Sequence, residues 1–192
     1  LAGCGGGSTQ IASGGIVGTG DQRLLSSGVI TATAPGAIVV TGQTVSIATA
    51  AITVNGAAAS APDLRIGMVV ALDGRVNADG TATATSVTYN AEIIGVVDGV
   101  DSTARTLTLL GQRVRTDGIT VFEGGTFEAL LGQKVEVSGL RIAPADVYAT
   151  WIRVSADAPP AVVPVEVVGT VSSLDPAARR FAVGTQAIDY AG

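Results

Sequence analysis

The chain has one strong nucleophile, the thiol of Cys4, set in Leu1-Ala2-Gly3-Cys4 and followed by Gly5-Gly6-Gly7-Ser8-Thr9. Small residues ahead of a cysteine leave the preceding bond open to a peptidase, and only a thiol makes a thioether. The glycines behind it read as a flexible linker rather than a core segment. Other chemistry-bearing types are sparse. There is no histidine, which excludes a Ser-His-Asp triad, an imidazole acid–base and a His-based metal centre. Two carboxylates could form a glycosidase-type acid pair. However, Asp73, Asp79, Asp98, Asp101, Asp117 and Asp175 all stand in turn-forming contexts, where an aspartate ordinarily bonds its local backbone. Asp73-Gly74-Arg75-Val76-Asn77-Ala78-Asp79-Gly80 offers three oxygen ligands without EF-hand spacing or a closing glutamate. It reads as a hairpin turn between strands around Leu72 and Ala82. Gly14-Gly15 and Gly124-Gly125 are not followed by the Lys-Ser or Lys-Thr of a phosphate loop. The expectation is a non-enzyme with no cofactor and no metal.

Phe122, Phe127, Tyr148 and Trp151 cluster in one part of the chain. Trp151 and Tyr148 are candidate ligand-face aromatics, able to stack on a base or a sugar. The competing reading makes the four aromatics a core, with Trp151 at a rim where its N–H finds a partner. A net charge of -5, one lysine (Lys134) and scattered arginines (Arg65, Arg75, Arg105, Arg113, Arg115, Arg141, Arg153) argue against nucleic acid, because phosphate binding needs clustered cations.

These groups must be carried by a chain of 192 residues, 47% hydrophobic but only 4% aromatic and 14% charged. Apolar runs such as Ala161-Val162-Val163 are too short to cross a bilayer as a helix. With a single cysteine no internal disulfide forms.

The organisation is repetitive. Gly28-Val29-Ile30-Thr31 aligns with Gly95-Val96-Val97-Asp98, Gly42-Gln43-Thr44-Val45 with Gly111-Gln112-Arg113-Val114, and Gly67 with Gly132, at offsets of 67, 69 and 65 residues. Gly169-Thr170-Val171-Ser172 and, more loosely, Gly184-Thr185-Gln186-Ala187 begin a third copy 74 and 73 residues on. Such constancy marks tandem units. Within a unit the runs are short, β-branched and bounded by turn dipeptides such as Asn55-Gly56, Asp79-Gly80 and Asp117-Gly118. Tyr148, Thr150, Ile152 and Val154 are expected to alternate along one half-buried strand. One short helical turn per unit is expected at Ala61–Arg65 and at Thr126–Leu130, with Pro62 and Thr126 as opening signals. The fold class that follows is all-β: tandem small five-stranded barrels, OB-like in strand order, with one short helical turn each.

The expected division is a flexible tether over 1–25, a first barrel over 26–90 and a second over 91–157. A Pro-rich linker and a partial third repeat of two strands follow over 158–192, where Pro159-Pro160 and Pro164 form a stiff connection. A two-stranded remnant is marginal alone; the first expectation is that the repeat continues in a longer protein, and self-association through the partial third repeat is the second, a partner expectation.

Leu1-Ala2-Gly3-Cys4 resembles a bacterial lipobox. The resemblance implies cleavage before Cys4, a diacylglyceryl thioether on its sulfur and an acyl group on the freed amine, which together give stable anchoring. Gly5 in place of an aspartate tilts the address toward the outer membrane. Ala51-Ile52-Thr53-Val54-Asn55-Gly56, Asp63-Leu64-Arg65-Ile66-Gly67-Met68-Val69-Val70 and Val135-Glu136-Val137-Ser138-Gly139 are similar to a family of bacterial lipoproteins with tandem OB-like domains of unknown function. What this implies is a lipid-anchored cell-envelope protein, a structural or interaction module held to the membrane through Cys4. The alternative is a small-molecule or glycan binder using the barrel face.

Overall fold

The computed structural model describes residues 22–155, 166–167, 169–184 and 186–191. Cys4, the glycine tether and Pro159, Pro160 and Pro164 lie outside the described residues. The fold is all-β. The first repeat forms one seven-stranded sheet: β1 (Gln22–Ala34), β2 (Ala37–Val40), β3 (Gln43–Ser46), β4 (Ala51–Val54), β5 (Ala57–Ala59), β6 (Val69–Val76) and β7 (Ala82–Tyr89). Five of these close a ring. β1 pairs antiparallel with β2 and β6, β2 with β3, and β6 with β7, while β3 runs parallel to β7 at Val45 and Ala82. Closure leaves few free edges, an advantage in a chain with so few charges to block edge pairing. β1 begins inside the stretch assigned to the tether, because Leu24 is buried in the barrel core and Arg23 pairs with Asp73 at 3.0 Å.

The second repeat supplies β8 (Ile93–Val96), β9 (Gly99–Asp101), β10 (Thr106–Leu109), β11 (Gln112–Arg115), β12 (Val121–Glu123), β13 (Lys134–Ala143) and β14 (Asp146–Val154). Its ring has the same order, with β11 parallel to β14. β8 and β9 together take the place of β1, broken at Val97 and Asp98, whose N–H groups donate to Gln133 and Thr108. β1 has a register shift at the same place, between Ile30 and Ala32. At this corner the first strand leaves one neighbour for another, and a bulge or a break turns it.

The repeat is exact at several backbone contacts. Ile30 N donates to Met68 O and Gly67 N to Ile30 O; Val97 N donates to Gln133 O and Gly132 N to Val97 O. β6–β7 shifts register at Asp73/Gly74, and β13–β14 at Ser138/Gly139. Each glycine there faces the carbonyl oxygen of the strand opposite, of Thr83 or Tyr148, too closely for a Cβ. The short helical turns are single 3-10 turns at Ala61–Asp63 and Phe127–Ala129, the first closed by Ser60 N and Oγ donating to Asp63 Oδ2 at 2.8 Å. The expected Asp73–Gly80 loop is shorter in fact: Asp73 to Val76 are strand, and the turn is Asn77–Thr81.

Each ring has its own core. Ile30, Ile38, Val45, Met68, Val87 and Tyr89 are among those filling the first, and Val97, Leu107, Val114, Phe127, Val137 and Ile152 the second. The C-terminal part adds β15 (Glu166–Val167), antiparallel to β8, and a separate sheet of β16 (Val171–Asp175), β17 (Arg180–Val183) and β18 (Gln186–Asp189). Two strands were expected there and the sheet has three, because the short run Gln186-Ala187-Ile188-Asp189 pairs along the whole of β17.

Candidate functional site

Chemistry-bearing side chains gather in two places, the junction between the barrels and the outer face of the second barrel. The junction begins with the bulge on β14. Ser138 pairs with Trp151 and Gly139 with Ala149, so Thr150 is the extra residue. An extra residue reverses the in–out alternation beyond it. Val147 and Ala149 point into the second core, as does Ile152, while Trp151 points out of it and into the first. The expected single-face alternation of Tyr148, Thr150, Ile152 and Val154 is therefore incorrect: Tyr148 lies outside the ring, and Ile152 and Val154 pack on its core.

Trp151 is 0% exposed and meets Tyr89 edge to face, with centroids 6.1 Å apart and planes at 89°. Its indole N–H donates to Glu123 Oε2 at 3.2 Å, and Arg65 of the first barrel reaches Glu123 Oε1 at 3.6 Å. Around it the backbones approach closely. Thr150 Oγ1 donates to Gly67 O, and Val69 N donates to Ser138 Oγ at 2.8 Å. Gly67 has φ +95°, and a Cβ there would lie 2.7 Å from Thr150 O. Position 67 thus needs glycine twice over, for its conformation and for the contact. Asn55, at the tip of the β4–β5 hairpin, donates to Glu136 Oε1 at 2.7 Å and accepts from Ala91 N at 2.9 Å. Arg153 holds the other Glu136 oxygen. Burial, with Glu136 close by, pushes the Tyr89 hydroxyl far above its ordinary range, keeping it neutral. A cleft of about 650 Å³ opens beside this junction, lined by Pro35, Pro62, Arg65, Ile66, Phe122 and Glu123 among others.

The outer face of the second barrel is built around Asp146. Its side chain is 7% exposed and accepts from Arg113 Nε at 3.1 Å and from Arg115 Nε and Nη2 at 2.9 and 2.7 Å. The hydrogen bonds from Arg115, against the cost of burial and with Arg113 assisting, hold the carboxyl at about 2. Tyr148 stands next along β14 with its hydroxyl donating to Asp117, a bond that raises the phenol and lowers the carboxyl. Leu140, across from Tyr148, and Ile142 are exposed on the same strand pair.

The carboxylates of both places are committed to hydrogen bonds. Asp146, Asp117, Asp79 and Asp63 are all held below the usual carboxylate range by hydrogen bonds, the opposite of what a general acid needs. No group of three or more His, Cys, Asp or Glu able to hold a metal occurs among the described residues. Of the two candidate ligand-face aromatics, Trp151 is enclosed between the barrels, and Tyr148 is half-buried on the outer face; they are not brought together. Cys4 falls outside the described residues. Sequence reading missed the bridging role of Asn55, seen only as a turn residue, and the Asp146 cluster. The Asp146 pairs span 31 and 33 residues, so no local spacing announces them. The signal that was available is the arginine pair Arg113-x-Arg115, which alternation places on one strand face.

The family described as Domain of unknown function (DUF5666) matches the chain twice, over residues 27–88 and 94–153. No curated protein matches the chain. No solved structure matches it either.

Proposed function

The chain belongs to this DUF5666 family as a tandem pair of domains, and from that premise we propose a lipid-anchored cell-envelope protein whose linked barrels act as a non-catalytic structural or interaction module. The observation that carries the reading is the junction. Trp151, Thr150, Ser138 and Glu136 of one barrel engage Tyr89, Gly67, Val69 and Asn55 of the other. Polar groups that could have formed a reactive site are instead committed to holding two barrels together, as a spacer or docking platform requires. The strand order of the closed ring, first–second–third–fifth–fourth, supports an OB-type assignment of the barrel.

Anchoring rests on Leu1-Ala2-Gly3-Cys4 with its glycine-rich follower. Two acyl chains suffice for stable attachment where one does not. An outer-membrane address is part of the proposal. Intact mass and detergent partitioning of protein from the native organism test it. A lipid adduct on Cys4 and partition into detergent are expected; a water-soluble form keeping Leu1–Gly3 and a free thiol contradicts the anchor.

A second reading is favoured by one difference between the barrels. The outer face of the second carries Arg113, Arg115, Tyr148 and Leu140, where the first has Thr44, Ser46, Thr83 and Arg75 at matching positions. Such a mixed face suits a small molecule or glycan, stacking on Tyr148. Titration with a glycan panel, repeated on Tyr148→Ala, decides it: binding lost in the variant supports this reading, and no binding to the wild type removes it.

A further inference from the structure

The second barrel lacks one strand that the first has. Ile52 lies beside Val87 and Phe122 beside Ile152, which makes β4 and β12 equivalent at an offset of 70 residues. The 3-10 turns that follow match at an offset of 66, with Leu64 N donating to Ala61 O and Leu130 N to Phe127 O. The residues lost in between are those with which the first barrel turns at Asn55-Gly56 and returns as β5. In the second, only Gly124, Gly125 and Thr126 separate β12 from its 3-10 turn, too short a path for a returning strand.

β4 is thus paired on both edges, with β7 and with β5, whereas β12 pairs with β14 alone among the described strands. Val121, Phe122 and Glu123 make no backbone hydrogen bond outside that pairing among the described residues. The side chains carry the same difference: Ile52 is buried, and Phe122 at the matching place is half-buried. Val121, Phe122 and Glu123 all line the cleft of about 650 Å³ beside the junction. Consecutive strand residues point to opposite faces, so a cleft reached by all three runs along the edge of the strand. Its far wall is Pro35, Pro62 and Ile66 of the first barrel, with Ile66 46% exposed. A free strand edge facing an apolar wall is the geometry that strand addition uses.

We propose that this cleft takes an extended segment of another protein, added antiparallel to β12 as β5 is added to β4. β5 specifies the occupant. Ala59 pairs with Ile52 and Ala58 with Thr53, so the incoming residues stand opposite Phe122 and Glu123. Cross-strand partners share a face. The residue opposite Phe122 is therefore small and apolar, packing on Phe122 as Ala59 packs on the first core. The residue opposite Glu123 looks toward the first barrel. Arg65 and Glu123 at that end already pair with each other at 3.6 Å, so the cleft has no charge to offer and suits an uncharged segment. The inference rests on the reading of the barrels as an interaction module and gives that module a partner class. The junction and the anchor depend on other residues, so they stand if the segment fails to bind.

The test adds a synthetic peptide of residues 55–62, which carries the β5 sequence, to the full chain and follows backbone amides by nuclear magnetic resonance. Saturable shifts are expected at Val121, Phe122 and Glu123, with exchange at the outer edge of β12 slowed about tenfold or more and β4 unchanged. The same peptide carrying Ala59→Glu should not bind, since its charge would be buried against Phe122. In the protein, Ile66→Glu replaces an exposed wall residue, so the chain stays folded, and peptide binding should weaken by more than about tenfold. Leu25→Glu, at a position 68% exposed and outside the cleft, should bind as the wild type does. A chain with Asn55–Ser60 copied in place of Gly124-Gly125 gives the second barrel its own β5 and should bind no peptide. Absence of shifts at 121–123, or equal binding of the Ala59→Glu peptide, overturns the proposal. So does slow exchange along the whole of β12 in the free chain, which would mean an edge already covered. If the free chain is a dimer that Ile66→Glu converts to monomer, the occupant is a second copy and the proposal fails.

Discussion

The two complete barrels share ring order, corner irregularity, bulge position and core, yet differ wherever they face something other than themselves. At the position where β14 carries Trp151, β7 carries Ser86. One looks into a neighbouring barrel and the other does not. Asn55 and the β4–β5 hairpin belong to the first barrel alone; the second runs from β12 through Gly124-Gly125 straight into its 3-10 turn. Outside the ring, Thr44, Ser46 and Thr81 of the first stand against Arg113, Arg115 and Asp146 of the second. The ring therefore sets the fold, and the difference between Trp151 and Ser86 records which surface meets the other barrel.

The largest expected effect breaks this comparison at its centre. Trp151→Ala should cost about 3–5 kcal/mol, and the loss should appear in the first barrel's core although the residue belongs to the second. Ser86→Ala at the matching place should change stability by less than about 0.5 kcal/mol. Denaturant unfolding of both variants checks the pair; equal effects would mean the positions are not distinguished by what they face.

Next come the glycines that make the barrels alike. Gly74→Ala and Gly139→Ala each drive a Cβ against a facing strand's carbonyl, and each should destabilise by about 1–3 kcal/mol, as overpacking does. Similar values sharpen the equivalence; a neutral Gly139→Ala breaks it. Asn55→Ala removes two hydrogen bonds across the junction and should cost about 1–2 kcal/mol. In Glu136→Gln/Asn55→Ala the two losses should fall short of additive, since they share a bond.

The barrels also differ in their response to pH. Folded Asp146 titrates at about 2 and an unfolded aspartate near 3.9, so the unfolded chain takes up this proton first. Its stabilisation is complete above about pH 4 and is lost as pH falls toward 2. Thr81, the matching residue in the first barrel, has nothing to titrate. Exchange protection in β11 and β14 should drop over that window, and Asp146→Asn should flatten this part of the pH dependence.

Much of this was legible in the sequence because repeats constrain themselves. Gly28 with Gly95, Gly42 with Gly111 and Gly67 with Gly132 mark out the tandem unit, and each matching pair occupies the same backbone role. Turn aspartates were legible too: Asp79, Asp101, Asp117 and Asp175 all bond local backbone. What escaped was set by single-residue shifts. One extra residue at Thr150 reverses the faces of β14, so strict alternation put Tyr148 and Ile152 on one side and hid where Trp151 points. The start of β1 at Gln22 escaped because Asp21-Gln22-Arg23 looks like a linker, and the side-chain partner of Arg23, Asp73, is 50 residues away. Asn55 read as half of an Asn-Gly turn, which it is; its second role depends on a carboxylate 81 residues away.

The central claim is that the two barrels unfold as one body because the junction joins their cores, and the protein carries its own probe. Trp151 is the only tryptophan, placed on a second-barrel strand in the first barrel's core. Urea unfolding followed by tryptophan fluorescence and by far-ultraviolet circular dichroism should give coincident transitions with a common midpoint and slope. A dichroism curve with two steps, only one of them seen by Trp151, would show barrels that unfold independently and would contradict the account.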